Sequence, residues 1–219
     1  MRPPVPDAVI FDLDGTLVDT VPARIRAWQE VLDAHGFAVD HDALGPMIGM
    51  DGRRLAREVA ERAGRPIDEA IAERIDRDAG ERFDVHNRAP QPLPGAREAL
   101  ERLDAAGVTW AIATSSRAEQ VARSVEALAL MHEPRIVDGS RVPHAKPAPD
   151  LLLLAARELG VDPYRTWYVG DSTWDMRAAV AAGMGAIGVL SGAAVGRATL
   201  MDAGADLVVD AADQLPLPG

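Results

Sequence analysis

An α/β fold, a parallel sheet covered by helices and carrying an all-helical insert, is what this sequence predicts, on three observations. Short apolar runs alternate with amphipathic stretches through most of the chain, the form taken by strands joined through crossover helices. The alternation is interrupted once, from about residue 20 to about residue 90, where only helical patterns occur. Pro90, Pro92 and Pro94 close that interval, as expected where a small second unit is hinged on a first.

The first strand is expected at 8–11, where Ala8-Val9-Ile10-Phe11 precedes the first acidic pair. Val21, Ile25, Trp28 and Leu32 then mark one face of a helix, and Arg-rich and Glu-rich helical segments follow. Ala96, Ala99, Leu100 and Leu103 repeat at helical spacing, with Gly107 available to end that helix. Further strands are expected at 110–113, 166–169, 186–189 and 206–209. Residues 178–196 carry no charge and approach membrane-span length. Five glycines interrupt that stretch, at Gly183, Gly185, Gly188, Gly192 and Gly196, and alanine dominates over leucine. It is therefore read as a helix end, a short buried strand and a loop. The expected division is a core of residues 1–19 and 91–219 with a helical unit at 20–90.

The 219 residues are 47% hydrophobic and 26% charged, a globular composition. There is no cysteine, which excludes a disulfide framework, a thiolate zinc site and a cysteine nucleophile, and points to a reducing cytoplasm. A formal charge of -11 opposes binding to phosphate backbones, so nucleic acid is not an expected partner, and neither is a membrane. No apolar run precedes Asp7, so a secretory leader is not expected. Of 23 basic residues only one, Lys146, is a lysine.

The strongest chemical signal is Asp12-Leu13-Asp14-Gly15-Thr16, directly after the first strand. Alternate strand residues share a face, so extending the strand places Asp12 and Asp14 together, and Gly15 permits a sharp turn. Like charges this close need a cation. Thr114 in Ala113-Thr114-Ser115-Ser116 and Asp171 in Gly170-Asp171-Ser172-Thr173-Trp174-Asp175 also lie just past expected strands. Ligands of open parallel sheets bind beyond those carboxyl ends.

These motifs, with Lys146 in Lys146-Pro147-Ala148-Pro149-Asp150, resemble in order the four motifs of the haloacid dehalogenase-like hydrolases. The resemblance is to the phosphatase branch with a helical cap inserted after the first strand, and it extends over nearly the whole chain. It implies a Rossmann-like core and a Mg2+-dependent phosphatase acting on a small phosphorylated metabolite through an aspartyl-phosphate. Asp12 would be the nucleophile, Asp14 the general acid and base, and Thr114 and Lys146 the groups that hold and neutralise the phosphate. Thr16 and Ser115 would lie beside the substrate. Asp12, the Asp14 main-chain carbonyl and Asp171 would hold the cation, backed by Asp175. A lone lysine among arginines fits a place where a compact ammonium is needed and a planar guanidinium does not fit.

The helical insert is less informative. Arg24, Arg53 and Arg54 are its basic candidates, the last two in the loop Ile48-Gly49-Met50-Asp51-Gly52-Arg53-Arg54. They read either as binders of a substrate carboxylate or second phosphate or as solvated helix charges. A phosphosugar mutase of the beta-phosphoglucomutase type would carry His where this chain has Arg24, and is disfavoured. A phosphonoacetaldehyde hydrolase needs a lysine in the insert, which has none. A metal-independent dehalogenase normally lacks the second aspartate, yet Asp14 is present. A receiver-like phospho-aspartate signalling module would not need an insert of roughly 70 residues.

Overall fold

The computed structural model describes residues 5–116 and 118–217. From β1 (Ala8–Phe11) the chain enters α1 (Val21–Ala34), α2 (His41–Leu44), α3 (Gly52–Arg62) and α4 (Glu69–His86), then passes through α5 (Ala96–Ala105) to β2 (Thr109–Thr114). There follow α6 (Ala118–Leu128), β3 (Ile136–Asp138), α7 (Asp150–Leu159), β4 (Thr166–Gly170), α8 (Thr173–Ala182), β5 (Gly185–Val189), α9 (Arg197–Asp202) and β6 (Leu207–Val209). The six strands form one sheet in the order β3-β2-β1-β4-β5-β6, with every neighbouring pair parallel. The strand order therefore reverses between β1 and β4, the place where such sheets open a crevice.

Alternation along β1 explains the layers. Val9 and Phe11 pack with Leu100, Leu103 and Leu128 on one face, while Ile10 packs with Leu152, Met176 and Ala179 on the other. A strand covered on both faces reads as one apolar run, which is why β1 was legible. The helices at 21–86 bury a third apolar cluster, built on Ile25, Trp28, Leu32, Leu55 and Ile75. The α1 face expected from Val21, Ile25, Trp28 and Leu32 is the buried one. Asp51 and Asp68 start α3 and α4 by accepting the backbone N–H groups of Arg54 and Ile71.

Strand β3 was not anticipated from sequence. It has three residues at the sheet edge, of which only Val137 is buried, too few to show a period, and its pairing with β2 is what makes it a strand. The last strand starts at Leu207 rather than Asp206, because Asp206 turns its carboxylate back to accept the Ala186 N–H at 2.9 Å. The uncharged stretch is the end of α8, then β5, then a loop. No helix among the described residues is long and apolar enough to cross a membrane.

Candidate active site

Asp12 continues β1 by one residue, its N–H donating to the Val169 carbonyl at 2.8 Å, so it sits on the crevice between β1 and β4. Asp171 follows β4 directly. The turn between Asp12 and α1 is closed by Gly15, whose φ is +80°. A Cβ at Gly15 would lie 2.4 Å from Asp171 Oδ2, so glycine lets the two acidic loops touch. Gly15→Ala is expected to cost roughly 1–2 kcal/mol in backbone strain. It is also expected to displace Asp171 and reduce turnover about 10²-fold. Thermal unfolding and steady-state rates check the two effects separately.

Lys146 reaches the same place from the loop before α7 and is 4% exposed. Its Nζ donates to Asp12 Oδ1 at 2.7 Å, to Asp175 Oδ1 at 2.6 Å and to the Tyr168 hydroxyl at 2.9 Å. Three donors meet three acceptors. Burial by itself lowers the lysine's proton affinity, but the facing carboxylates of Asp12 and Asp175 overcome it and hold Lys146 charged. Asp175 is fixed in turn: its Oδ2 accepts the Ser172 N–H at 3.0 Å and hydroxyl at 2.5 Å, the capping box that starts α8.

Asp171 is buried, with the Thr16 hydroxyl on its Oδ1 at 3.2 Å and no ion-pair partner among the described residues. Burial, then repulsion from Asp175 and Asp12, pushes its carboxyl well above the ordinary range. Burial, opposed by Lys146 and reinforced by repulsion from Asp175 and Asp14, pushes Asp12 up to about 7. Asp12, Asp171 and Asp175 each present an oxygen within 4.8 Å of the others. Asp175 has both oxygens engaged, whereas Asp12 and Asp171 each keep one oxygen that accepts no hydrogen bond from the described residues. Excess buried negative charge on hard oxygen donors is what a Mg2+ ion satisfies, so the residues present fit that cation.

The site opens into a cavity of about 390 Å3. Its floor is Asp12, Asp14, Thr114, Ser115, Lys146 and Asp171, and its roof comes from the helical layer, including Arg24, Trp28, Met50 and Arg53. Thr114 is buried and accepts the Ser116 N–H at 3.1 Å, which leaves its hydroxyl hydrogen free to donate. The Asp14 carboxylate is held by Ser116 and by Arg24 at 3.3 Å. Arg24 also donates to Ser116 at 3.0 Å and lies 3.9 Å over the Phe83 ring.

Two sequence-based assignments change. Thr16 has no exposure and is not among the cavity-lining residues; its hydroxyl donates to Asp171 Oδ1. Arg54 does not line the cavity either, because its guanidinium lies 5.1 Å over Trp174. Arg53 does line it, but is shared with Asp51 at 3.7 Å and Glu69 at 3.6 Å. Asp175, expected behind the cation, lies in the same acidic cluster as Asp12 and Asp171 and also accepts from Lys146. Tyr168 and Ser116 were not singled out from sequence. Tyr168 gives no local signal inside an apolar strand, whereas Ser116 stood in the loop that also supplies Thr114.

Strands that end in carboxylates, a buried lysine bonded to the first of them and a cavity roofed by the helical layer make one polar site at the carboxyl edge of the parallel sheet. The chain belongs to the haloacid dehalogenase-like hydrolases, whose sequence profile matches residues 9–189. It is 30% identical over 206 residues to the N-acetylmuramic acid 6-phosphate phosphatase of Pseudomonas aeruginosa, covering 93% of this chain and 90% of that one. It is 35% identical over 181 residues to hexitol phosphatase A of Escherichia coli, covering 82% and 81%. The crystal structure of a hydrolase from Pseudomonas syringae superposes with a TM-score of 0.88 at 34% identity, covering 95% of each chain. With such relatives, the chain is an enzyme of the family's phosphatase branch.

Proposed function

We propose that this phosphatase hydrolyses a small phosphate monoester in two steps through an aspartyl-phosphate on Asp12, with Mg2+ as cofactor. The observation that carries the reading is the buried Lys146 held between Asp12 and Asp175 beside Asp171, which has no ion-pair partner among the described residues, on the floor of a roofed cavity. The working division is a catalytic core of residues 1–19 and 91–219 and a cap of residues 20–90. A cavity of about 390 Å3 suits a small metabolite in the cytoplasm. The relatives named for a sugar phosphate and a hexitol support a polyhydroxylated one.

Asp12 attacks phosphorus in line with the departing alcohol. Lys146 lowers the repulsion between that carboxylate and the anionic ester, and the Thr114 hydroxyl with Ser115 holds phosphate oxygens. Asp14 gives its proton to the leaving alcohol. The same carboxylate then takes a proton from water as that water attacks the acyl-phosphate, so one residue serves both half-reactions. Mg2+, held by Asp12 and Asp171 with the Asp14 carbonyl, would add positive charge where the transferring phosphoryl group accumulates negative charge.

Hydrolysis of p-nitrophenyl phosphate is expected to require Mg2+ and to stop in excess chelator. Undiminished activity in chelator refutes the cation assignment.

A further inference from the structure

Trp174 is a large aromatic residue in the acidic motif, yet it takes no part in the chemistry described above. It is the second residue of α8, one before Asp175, and is 6% exposed. A buried indole N–H needs an acceptor, and this one donates at 3.2 Å to the Pro46 carbonyl in the helical layer. Arg54, from the same layer, lies over the ring. Gly49 completes the contact: with φ at +89°, a Cβ there would lie 2.8 Å from Ser172 Oγ and 3.3 Å from Trp174 Cδ1. Backbone carbonyl, guanidinium and glycine thus all meet one turn of α8. The segment they belong to, a loop that runs into the first turn of α3, supplies Ile48, Gly49, Met50 and Arg53 to the cavity wall.

We propose that Trp174 is a latch, a positioning residue that seats the 45–54 segment on the first turn of α8 and so fixes the wall against which the leaving group lies. Arg54, displaced from its expected place at the substrate, is the insert's half of the latch. Because Ser172 and Asp175 in that turn also anchor Lys146, the wall and the catalytic lysine take their positions from the same four residues, 172–175. The proposal rests on the phosphatase reading for what the wall touches, but not for the contact itself.

Two variants test it without touching the catalytic groups: Trp174→Phe keeps the ring and removes the N–H, and Arg54→Ala removes the guanidinium. For p-nitrophenyl phosphate, KM is expected to rise about 3- to 10-fold in each, the scale of one lost hydrogen bond or cation–π contact. The double variant should be worse than either single one, since the N–H bond to Pro46 and the guanidinium over the ring are separate contacts of one latch. Inhibition by inorganic phosphate, whose partners are all in the core, should stay at the wild-type level. In substrate-free protein, amide exchange across residues 48–54 should be faster in both variants. Unchanged exchange there overturns the latch. So does a wild-type KM accompanied only by a lower melting temperature, or a parallel loss of phosphate inhibition. If the wild-type enzyme fails to hydrolyse the aryl ester, the phosphatase reading falls while amide exchange still decides the latch.

Discussion

Asp12→Asn is expected to reduce turnover by at least roughly 10⁴-fold, the scale seen when a nucleophile is removed, with the fold retained. An amide of the same shape cannot attack phosphorus, and it removes one of the two carboxylates left free to hold a cation. Stability should not suffer in proportion. Asp12 is buried among like charges, and its carboxyl is pushed up to about 7, so neutralising it removes repulsion from Asp175 and Asp14 while Lys146 keeps Asp175. Asp14→Asn should leave a slower enzyme, down roughly 10²- to 10⁴-fold, because only proton transfer is lost. Mass spectrometry of protein quenched during turnover should place a phosphoryl group on Asp12. An adduct on another residue, or substantial turnover by Asp12→Asn, refutes the nucleophile.

The second large effect belongs to Lys146. The ammonium fills a buried position bounded by acceptors at 2.6, 2.7 and 2.9 Å, and a planar guanidinium has no room there. Lys146→Arg is therefore expected to lose nearly as much turnover as Lys146→Ala, on the order of 10²-fold or more for a charge displaced by about 1 Å. The arginine variant should also be destabilised by about 1–3 kcal/mol through overpacking. Near-normal turnover in Lys146→Arg defeats the compact-charge argument, and near-normal turnover in both variants removes Lys146 from the site. Steady-state kinetics with thermal melts on both proteins decides.

What could be read in advance followed the range of the physics involved. Asp12, Asp14 and Gly15 sit in one short segment after an apolar run, and Asp171 stands directly after another, so strand ends and acidic turns were visible as local patterns. The lone lysine was visible as a compositional oddity. Thr16 and Arg54 were misplaced because which way a side chain turns depends on partners 155 and 120 positions away, Asp171 and Trp174. Strand β3 was missed for a similar reason, since only its pairing with β2 defines it. Arg24 was recognised as a basic candidate, but its place beside Asp14 needed the packing of α1 against the sheet.

The reversal of strand order between β1 and β4 has a consequence for how the enzyme comes into being. Asp12 and Asp171 are neighbours only because β4 is laid down beside β1, after β2 and β3 have been added on the other side. Asp12 follows the first strand, whereas Asp171 and Asp175 come only with β4 and α8, more than 150 residues later. The helices at 21–86 have their own apolar cluster and are complete far earlier. A chain ending before β4 would lack Asp171 and Asp175 and the strand that sets Asp171 beside Asp12.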